Sequence, residues 1–273
     1  MFFLVNVCSA HIVPYAGITS LKDSEGLVSS DRYLGFDTFV LKDRQLLEAN
    51  FKYTTLEYNR TDSKKFRYNI AGSYSIYRST DALTFGGHYV SSDGTYMDKA
   101  FALFTGWKSF KKDDNEFGAN LYHTMYEKYK PKVVNTVQLT PFVKLYSKGH
   151  GKKSSKSILF ELPVVRVSEW MEDGGITRSS NYASLNVTGA LHYKRWNFEL
   201  SGFIGKKTFQ IDLDGMNFSY FNFTETRGVG IDLRYQLKSK FWLKAGGSYS
   251  SMTDLSGYHD YSNSTVYAAL LFN

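Results

Sequence analysis

Residues 67–78 read RYNIAGSYSIYR, and every second position belongs to one of two sets. Tyr68, Ile70, Gly72, Tyr74 and Ile76 form a largely apolar row. Arg67, Asn69, Ala71, Ser73 and Ser75 form a small and polar one. A period of two is the signature of a β-strand with two unlike faces. The pattern recurs. Leu47, Ala49, Phe51, Tyr53 and Thr55 alternate with Glu48, Asn50, Lys52 and Thr54. Ala183, Leu185, Val187, Gly189 and Leu191 alternate with Ser184, Asn186, Thr188, Ala190 and His192. Val229, Ile231, Leu233 and Tyr235 alternate with Gly230, Asp232 and Arg234, and Phe241, Leu243, Ala245 and Tyr249 stand opposite Lys244, Gly246 and Ser248. The segments predict strands over 12–20, 32–41, 46–58, 66–77, 83–91, 99–110, 117–127, 134–146, 158–168, 182–193, 197–207, 223–236, 241–251 and 264–272. That is about fourteen, an even number.

Short charged connections such as KDRQ (42–45), STDA (79–82), KKDDNE (111–116), YKRWN (193–197) and LKSK (237–240) alternate with longer ones at 21–31, 91–98, 127–134, 169–181, 207–222 and 251–263. Segment 147–156 departs from the alternation, being long where a short turn is expected. The pattern is that of an up-and-down meander with short turns at one rim and long loops at the other. No helix, linker or strict repeat interrupts it, so the chain is read as one all-β domain.

Composition bears on which face meets which solvent. Tyr (21), Phe (21) and Trp (4) make up 17% of the 273 residues, against 4 Pro and 22 Gly. Mean hydropathy is −0.34, which excludes a bundle of membrane helices. The polar rows are mostly Ser, Thr, Asn, Gly and Tyr with isolated charges, unlike the Lys- and Glu-rich exterior of a soluble sandwich. The apolar rows are flanked by aromatics: Phe66 and Tyr77, Tyr182 and Tyr193, Phe241 and Tyr249, Tyr33 and Phe39. Aromatic residues near strand ends are what two membrane interfaces select. The expectation is therefore a transmembrane β-barrel with the apolar rows toward lipid and the polar rows toward a lumen.

The last strand, STVYAALLFN, places Val266, Ala268, Leu270 and Phe272 on one face. It resembles the C-terminal strand of Gram-negative outer-membrane β-barrel proteins, which ends on an aromatic residue preceded by alternating apolar ones. Here Asn273 follows the aromatic. The resemblance is to the superfamily. It implies the bacterial outer membrane as location, its lipid as surroundings, and the barrel-assembly machinery as a partner through the C-terminal strand. At the other end, residues 1–10 (MFFLVNVCSA) read as a signal peptide cut after Ala10, although a basic n-region is missing. The barrel then occupies 11–273. Cys8, the only cysteine, leaves with the signal, so disulfides and cysteine-based metal or redox sites are excluded.

The net charge of +7 is spread along the chain, and no nucleic-acid motif accompanies it. In GGHYVSSDG, His88 and Ser91 fall on opposite faces, and Ser92 is too far along the strand for a nucleophile–base pair. His259 with Asp260, and Asp212 with Asp214, read as solvated loop residues. No metal-ligand spacing and no cofactor motif is present. What remains is the lumen. The face assignment puts Lys52, Arg67, Lys108, Lys144, Arg166, Arg234 and Lys244 there, with Asp37, Glu48, Glu161, Glu199 and Asp232. The small positive excess suggests passive, porin-like passage of small polar or weakly anionic solutes, lined by Lys52, Arg67, Lys144, Arg234, Lys244, Glu48, Asp232 and Glu199. The alternatives are a surface-interaction, adhesin-like barrel without an open pore, its partner met by aromatic hairpins such as FQIDLDGMNFSYFNFTE, and an outer-membrane lipid-modifying enzyme or protease. No segment is long enough to be a separate plug domain.

Overall fold

A computed structural model describes residues 9–272, except Glu25 and the segments 59–62, 94–98, 112–114, 129–131, 149–153, 172–175, 213–216, 219–222, 239–240 and 255–258. Residues 1–8, which hold most of the expected signal, lie outside the described residues. The strands are β1 (Ser9–Asp23), β2 (Gly26–Lys42), β3 (Gln45–Tyr58), β4 (Ser63–Tyr77), β5 (Asp81–Ser92), β6 (Lys99–Phe110), β7 (Glu116–Lys128), β8 (Lys132–Lys148), β9 (Ser154–Glu161), β10 (Val164–Met171), β11 (Ile176–Tyr193), β12 (Trp196–Lys207), β13 (Ile211–Asp212), β14 (Asn217–Phe218), β15 (Phe223–Lys238), β16 (Phe241–Asp254) and β17 (Asp260–Phe272). β9 and β10 form one barrel strand, and β13 with β14 is a small separate hairpin. The rest close into a 14-strand antiparallel barrel, in which each strand pairs with its sequence neighbours and β17 returns to β1.

The interruption between β9 and β10 has a simple cause. Leu162 N–H donates to the Pro141 carbonyl at 3.0 Å and Ser184 N–H to the Pro163 carbonyl at 3.2 Å. Neither proline has an N–H to return, so the ladder lacks a bond on each side. The register passes through unchanged, since β8 pairs Phe142 with Glu161 and then Leu139 with Val164.

Paired residues can be followed once round the barrel: His192, Asn197, Arg234, Lys244, Ala269, Tyr15, Gly35, Lys52, Asn69, Val90, Ala100, Tyr126, Val134, Glu169, and back to β11 at Arg178. The stagger of about fourteen residues equals the strand number, so strands incline by roughly 35–40° and the backbone cylinder is about 25 Å across.

Alternation sets the two faces as the sequence leads one to expect. Leu34, Ile70, Leu103, Leu139, Leu185, Leu200, Ile231, Leu243 and Val266 stand out from the wall, Ile70 at 53% exposure and Val266 at 68%. Their chain neighbours Ala71, Ala102, Gln138, Ser184 and Asn186 are buried inside. The apolar rows thus form a continuous exterior belt, which a soluble sandwich would have turned inward.

Two expectations change. Much of three long connections is strand: β1 runs to Asp23 and β2 starts at Gly26, β10 runs to Met171 and β11 starts at Ile176, and β16 runs to Asp254 and β17 starts at Asp260. Each carries polar residues past the apolar belt, because closure gives every strand a partner on both sides and no edge needs to be protected. The second change concerns Arg166. It pairs with Val137, which is 49% exposed on the exterior, and its neighbours Val165 and Val167 are buried within. Arg166 is therefore on the outer face and not in the lumen.

Candidate functional site

The connection from β12 to β15 turns into the barrel. β12 leaves the wall at a bulge between Ile204 and Lys207, where Gly205 has φ 116°. A Cβ on Gly205 would stand 2.6 Å from the Ala183 carbonyl oxygen and 2.7 Å from Ser184 Cα, so both the φ and the close approach require glycine. Gly205→Ala is expected to cost about 1–3 kcal/mol in folding titrations. Gly202→Ala, whose Cβ would find nothing closer than 3.5 Å, should be near neutral. Equal effects at the two sites would refute this account of the bend.

Past the bulge, Thr208, Phe209, Gln210 and Ile211 are all buried. Phe209, itself at φ 54°, enters an apolar recess of Val90, Ala100, Tyr126, Val134, Val165 and Val167. Ile211 packs with Ala102, Phe104 and Tyr122. The Gln138 side chain replaces a strand partner: its Nε2 donates to the Ile211 carbonyl and its Oε1 accepts from the Ile211 N–H, both at 2.8 Å. Tyr126 Oη donates to the Phe209 carbonyl at 3.3 Å, and Ser184 Oγ to Gln210 Oε1 at 3.3 Å. The backbone polar groups of Ile211, and the carbonyl of Phe209, are thus satisfied away from water. The segment lines the inside of β5–β8, β10 and β11 and narrows the lumen from that side. The alternative, surface-interaction reading used this segment as an outward aromatic hairpin. The inward course of residues 207–212 corrects that for this part of it, while residues 213–216 and 219–222 lie outside the described residues.

The opposite wall, β1–β4 with β15–β17, is polar. Tyr15, Tyr33, Thr19, Thr265 and Asn50 face inward with the charges. Asn50 Nδ2 donates to Tyr15 Oη at 2.9 Å and also to Asp37, and Thr19 and Thr265 share a hydrogen bond at 3.0 Å. Lys52 Nζ lies 4.2 Å over the Tyr33 ring, with Asp31, Asp37 and Arg67 as its charged neighbours. The hydrogen-bonding row of Lys52 leads through Asn69 to Val90, one of the residues that receive Phe209. Because rows climb about one residue per strand, Lys52, Arg67 and Asp31 fall in the same band of heights as the inner segment.

Nearer the rim that carries the chain ends, Glu199, Asp232, Arg234 and Lys244 come together. Glu199 is opposite Asp232, and Arg234 opposite Lys244. Lys244 Nζ is 3.4 Å from Asp232 Oδ1 and 5.0 Å from the Tyr267 ring centre. Glu199, Asp232 and Arg234 border a cavity of about 150 Å³ with Tyr146, Lys156 and His192. Lys144 is opposite Glu116 and within 5.1 Å of the Tyr146 ring centre. Glu48, set apart from these, accepts from Ser73 Oγ at 2.9 Å. The register also turns Asp31, Glu116, Glu169 and Glu225 inward, and Lys65 and Lys207. The same register puts Lys128, Lys132, Lys148 and Arg178 at inward positions, and Asp254, so with Arg166 outside a small positive excess remains on the described inner face.

His88 is buried on the inner face, paired with Ala71 and Ala102. Ser91 alternates to the outer face, and Ser92 pairs inward with Arg67. No nucleophile–base pair forms there. Asp214 lies outside the described residues. Among the described residues, no group of three or more His, Cys, Asp or Glu is placed to hold a metal ion.

No protein-family profile matches the chain, and no curated protein matches it. Solved structures do. A deltaS2S3 mutant of the TodX monoaromatic hydrocarbon channel superposes with TM-score 0.56 at 10% identity, covering 97% of this chain and 90% of that one. The Pseudomonas putida toluene transporter TodX gives 0.52 at 9%, covering 96% and 88%. The CymD monoaromatic hydrocarbon channel gives 0.52 at 6%, covering 97% and 88%. The likeness is one of fold, and in fold the chain is a closed fourteen-stranded β-barrel of the kind found in bacterial outer-membrane proteins.

Proposed function

We propose that the chain is a passive outer-membrane channel for small polar solutes, its lumen narrowed by residues 207–212. The first ten residues are read as the export signal, and the rim bearing the chain ends as the periplasmic one. The observation that carries the reading is the division of the lumen. The apolar inner wall is filled by Phe209 and Ile211, which leaves the wall of Tyr, Thr, Asn and charged residues as the side along which a hydrated solute would pass. The channel and transporter roles stated for TodX and CymD support passage through the barrel, and the hydrocarbons named for them bear on the second reading below.

At the narrow level Lys52 and Arg67 stand against Asp31 and Asp37, two charges of each sign, so the preference comes from the small positive excess of the lumen around them. Anions are expected to pass somewhat better than cations at low salt. Reversal potentials in planar bilayers under a salt gradient test this. Lys52→Gln with Arg67→Gln should move selectivity toward cations, and Asp31→Asn should move it toward anions. Both shifts should fade near 1 M salt, where the screening length is about 3 Å. Shifts of the same sign in the two variants would defeat the assignment. A well-folded barrel that never conducts would favour the surface-interaction reading.

A second reading, passage of small apolar solutes, is favoured by the recess around Phe209. It predicts uptake of a monoaromatic hydrocarbon into proteoliposomes that is lost when Val165 and Val167 are replaced by Thr.

A further inference from the structure

Four inner-face charges on β12, β15 and β16 are set like against like. Glu199 is directly opposite Asp232, and Arg234 directly opposite Lys244. Like charges directly opposite one another weaken a sheet, and struts that only stiffened the wall would alternate in sign. The contact of Lys244 Nζ with Asp232 Oδ1, at 3.4 Å, runs between the two pairs and relieves one charge of each sign. One of each sign is left. Among the described residues, neither the Glu199 carboxylate nor the Arg234 guanidinium has a hydrogen bond or an ion pair. Lys144, a longer-range neighbour of Glu199, has Glu116 directly opposite it.

Both unpaired groups border the same cavity of about 150 Å³. One inner row runs Tyr146, Ser157, Ala190, Glu199, Asp232 across adjoining strands. Ser157 and Ala190 are small, so the wall is hollowed between the Tyr146 ring and the Glu199 carboxylate. On the side of the chain ends the hollow is edged by His192, which is hydrogen-bonded to Asn197. At about 30 Å³ per water molecule, the space suits a solute of about five or six non-hydrogen atoms. Asp232 and Arg234 are two residues apart on one strand, so the acidic row and the cationic row are separated by about 7 Å at their bases. Charge-assisted hydrogen bonds are about 2.8 Å long. An α-amino acid joins its ammonium and carboxylate through a single carbon, so one molecule can reach both rows.

We propose that Glu199 and Arg234 form a binding site for a small zwitterion, an α-ammonium carboxylate about the size of alanine. Glu199 receives the ammonium and Arg234 the carboxylate, each replacing the ion pair that the register denies it. The proposal rests on the channel reading above and names the solute class for it. A solute that has passed the inner segment meets this site before the rim that bears the chain ends.

Titration calorimetry of the full barrel in neutral detergent reads the site with four solutes of nearly equal size: alanine, alaninamide, lactate and lactamide. The titrations are run at about pH 6, where an α-amino group is protonated. Wild type should bind alanine about tenfold more tightly than alaninamide or lactate, and lactamide most weakly. Glu199→Gln should bind alanine no better than lactate, because only the carboxylate is still recognised. Arg234→Gln should bind alanine no better than alaninamide. Ala190→Leu fills the hollow without touching a charge and should weaken alanine binding about tenfold or more. The electrophoretic shift of folded barrels on heating monitors each variant. The wild-type ranking is itself decisive, so the test does not depend on the variants folding: equal affinity for alanine and lactamide would overturn the proposal. An unchanged ranking in both folded charge variants would overturn it too. Conductance in bilayers without alanine binding would overturn the zwitterion site and leave the channel. Alanine binding without any conductance would overturn the channel reading, and the site's part in passage with it.

Discussion

Replacing Leu185 by Arg is expected to lower barrel stability by about 2–4 kcal/mol in folding titrations from urea into lipid vesicles. The side chain stands on the outer face near the middle of β11, 42% exposed among Ala183, Val187 and Ile204. A guanidinium there would lie deep in hydrocarbon, too far from either interface for its stem to bring the charge to water without distortion. The adjacent substitution, Asn186→Arg, puts the same side chain on the inner face. Asn186 is opposite Glu161 on β9 and Phe203 on β12. A new cation there meets the Glu161 carboxylate rather than hydrocarbon, and the cost that remains is that of fitting a larger side chain at a buried position, so a loss of about 1 kcal/mol, smaller than at Leu185, is expected. The reverse order would mean that the faces are inverted, and the membrane reading would fall. In a soluble all-β protein neither substitution would show this dependence on the lipid.

Freeing the inner segment should have the largest effect on transport. With Phe209, Gln210 and Ile211 all replaced by Gly or Ser, the apolar anchors and the backbone pairing with Gln138 are weakened together. Burial of a Phe and an Ile contributes roughly 3–6 kcal/mol. That is enough to hold the segment in place, and its loss should let the strand of chain leave the wall. Single-channel conductance is expected to rise severalfold, with weaker discrimination by solute size. The barrel ladder is untouched by these changes, so the heat-dependent electrophoretic shift should persist. Unchanged conductance from a folded variant would show that the path avoids the segment. A milder form is Gln138→Ala, which leaves the Ile211 N–H and carbonyl without their partner at a cost of about 1–3 kcal/mol each. It should produce flickering between the two conductance levels.

All fourteen wall strands were legible from alternation, because lipid-facing and lumen-facing environments differ along every one. Ile70 against Asn69, or Leu185 against Asn186, needs no tertiary information. The inner segment was not legible. TFQID continues an alternating pattern, and only contact with Tyr126, Gln138 and Val165 decides that it turns inward. The same contact explains the misplacement of Arg166. Val165 and Val167 are apolar because they receive Phe209, so over a few residues the inner face of β10 is the more apolar one. Polarity inverts locally, and a reading that sends charge to the lumen sends Arg166 the wrong way. Lys52, Arg67 and Asp31 could each be assigned a face, yet their grouping opposite the segment depends on the stagger of the whole barrel. The polar hairpins beyond the belt read as loops because strand signals there are weak. They are held by ladders rather than by side-chain burial.

The seam between β1 and β17 has a consequence for how the molecule is made. Thr19 and Thr265 share a hydrogen bond across 246 positions of chain, and Tyr267 pairs with Gly17 and Ile18 with Val266 in the same seam. Every other junction in the wall joins strands that follow closely in the sequence. The cylinder therefore cannot be completed as the polypeptide emerges. Until the last strand has been synthesised, both β1 and the growing end present open hydrogen-bonding rows, and closing this longest of loops carries the largest entropic cost. A rearranged gene that joins the two ends and begins instead at the tight turn after Lys42 would keep all the pairings. In that protein the β1–β17 junction becomes local, and the seam made last moves to β2 and β3, so the order of assembly changes while the finished wall does not.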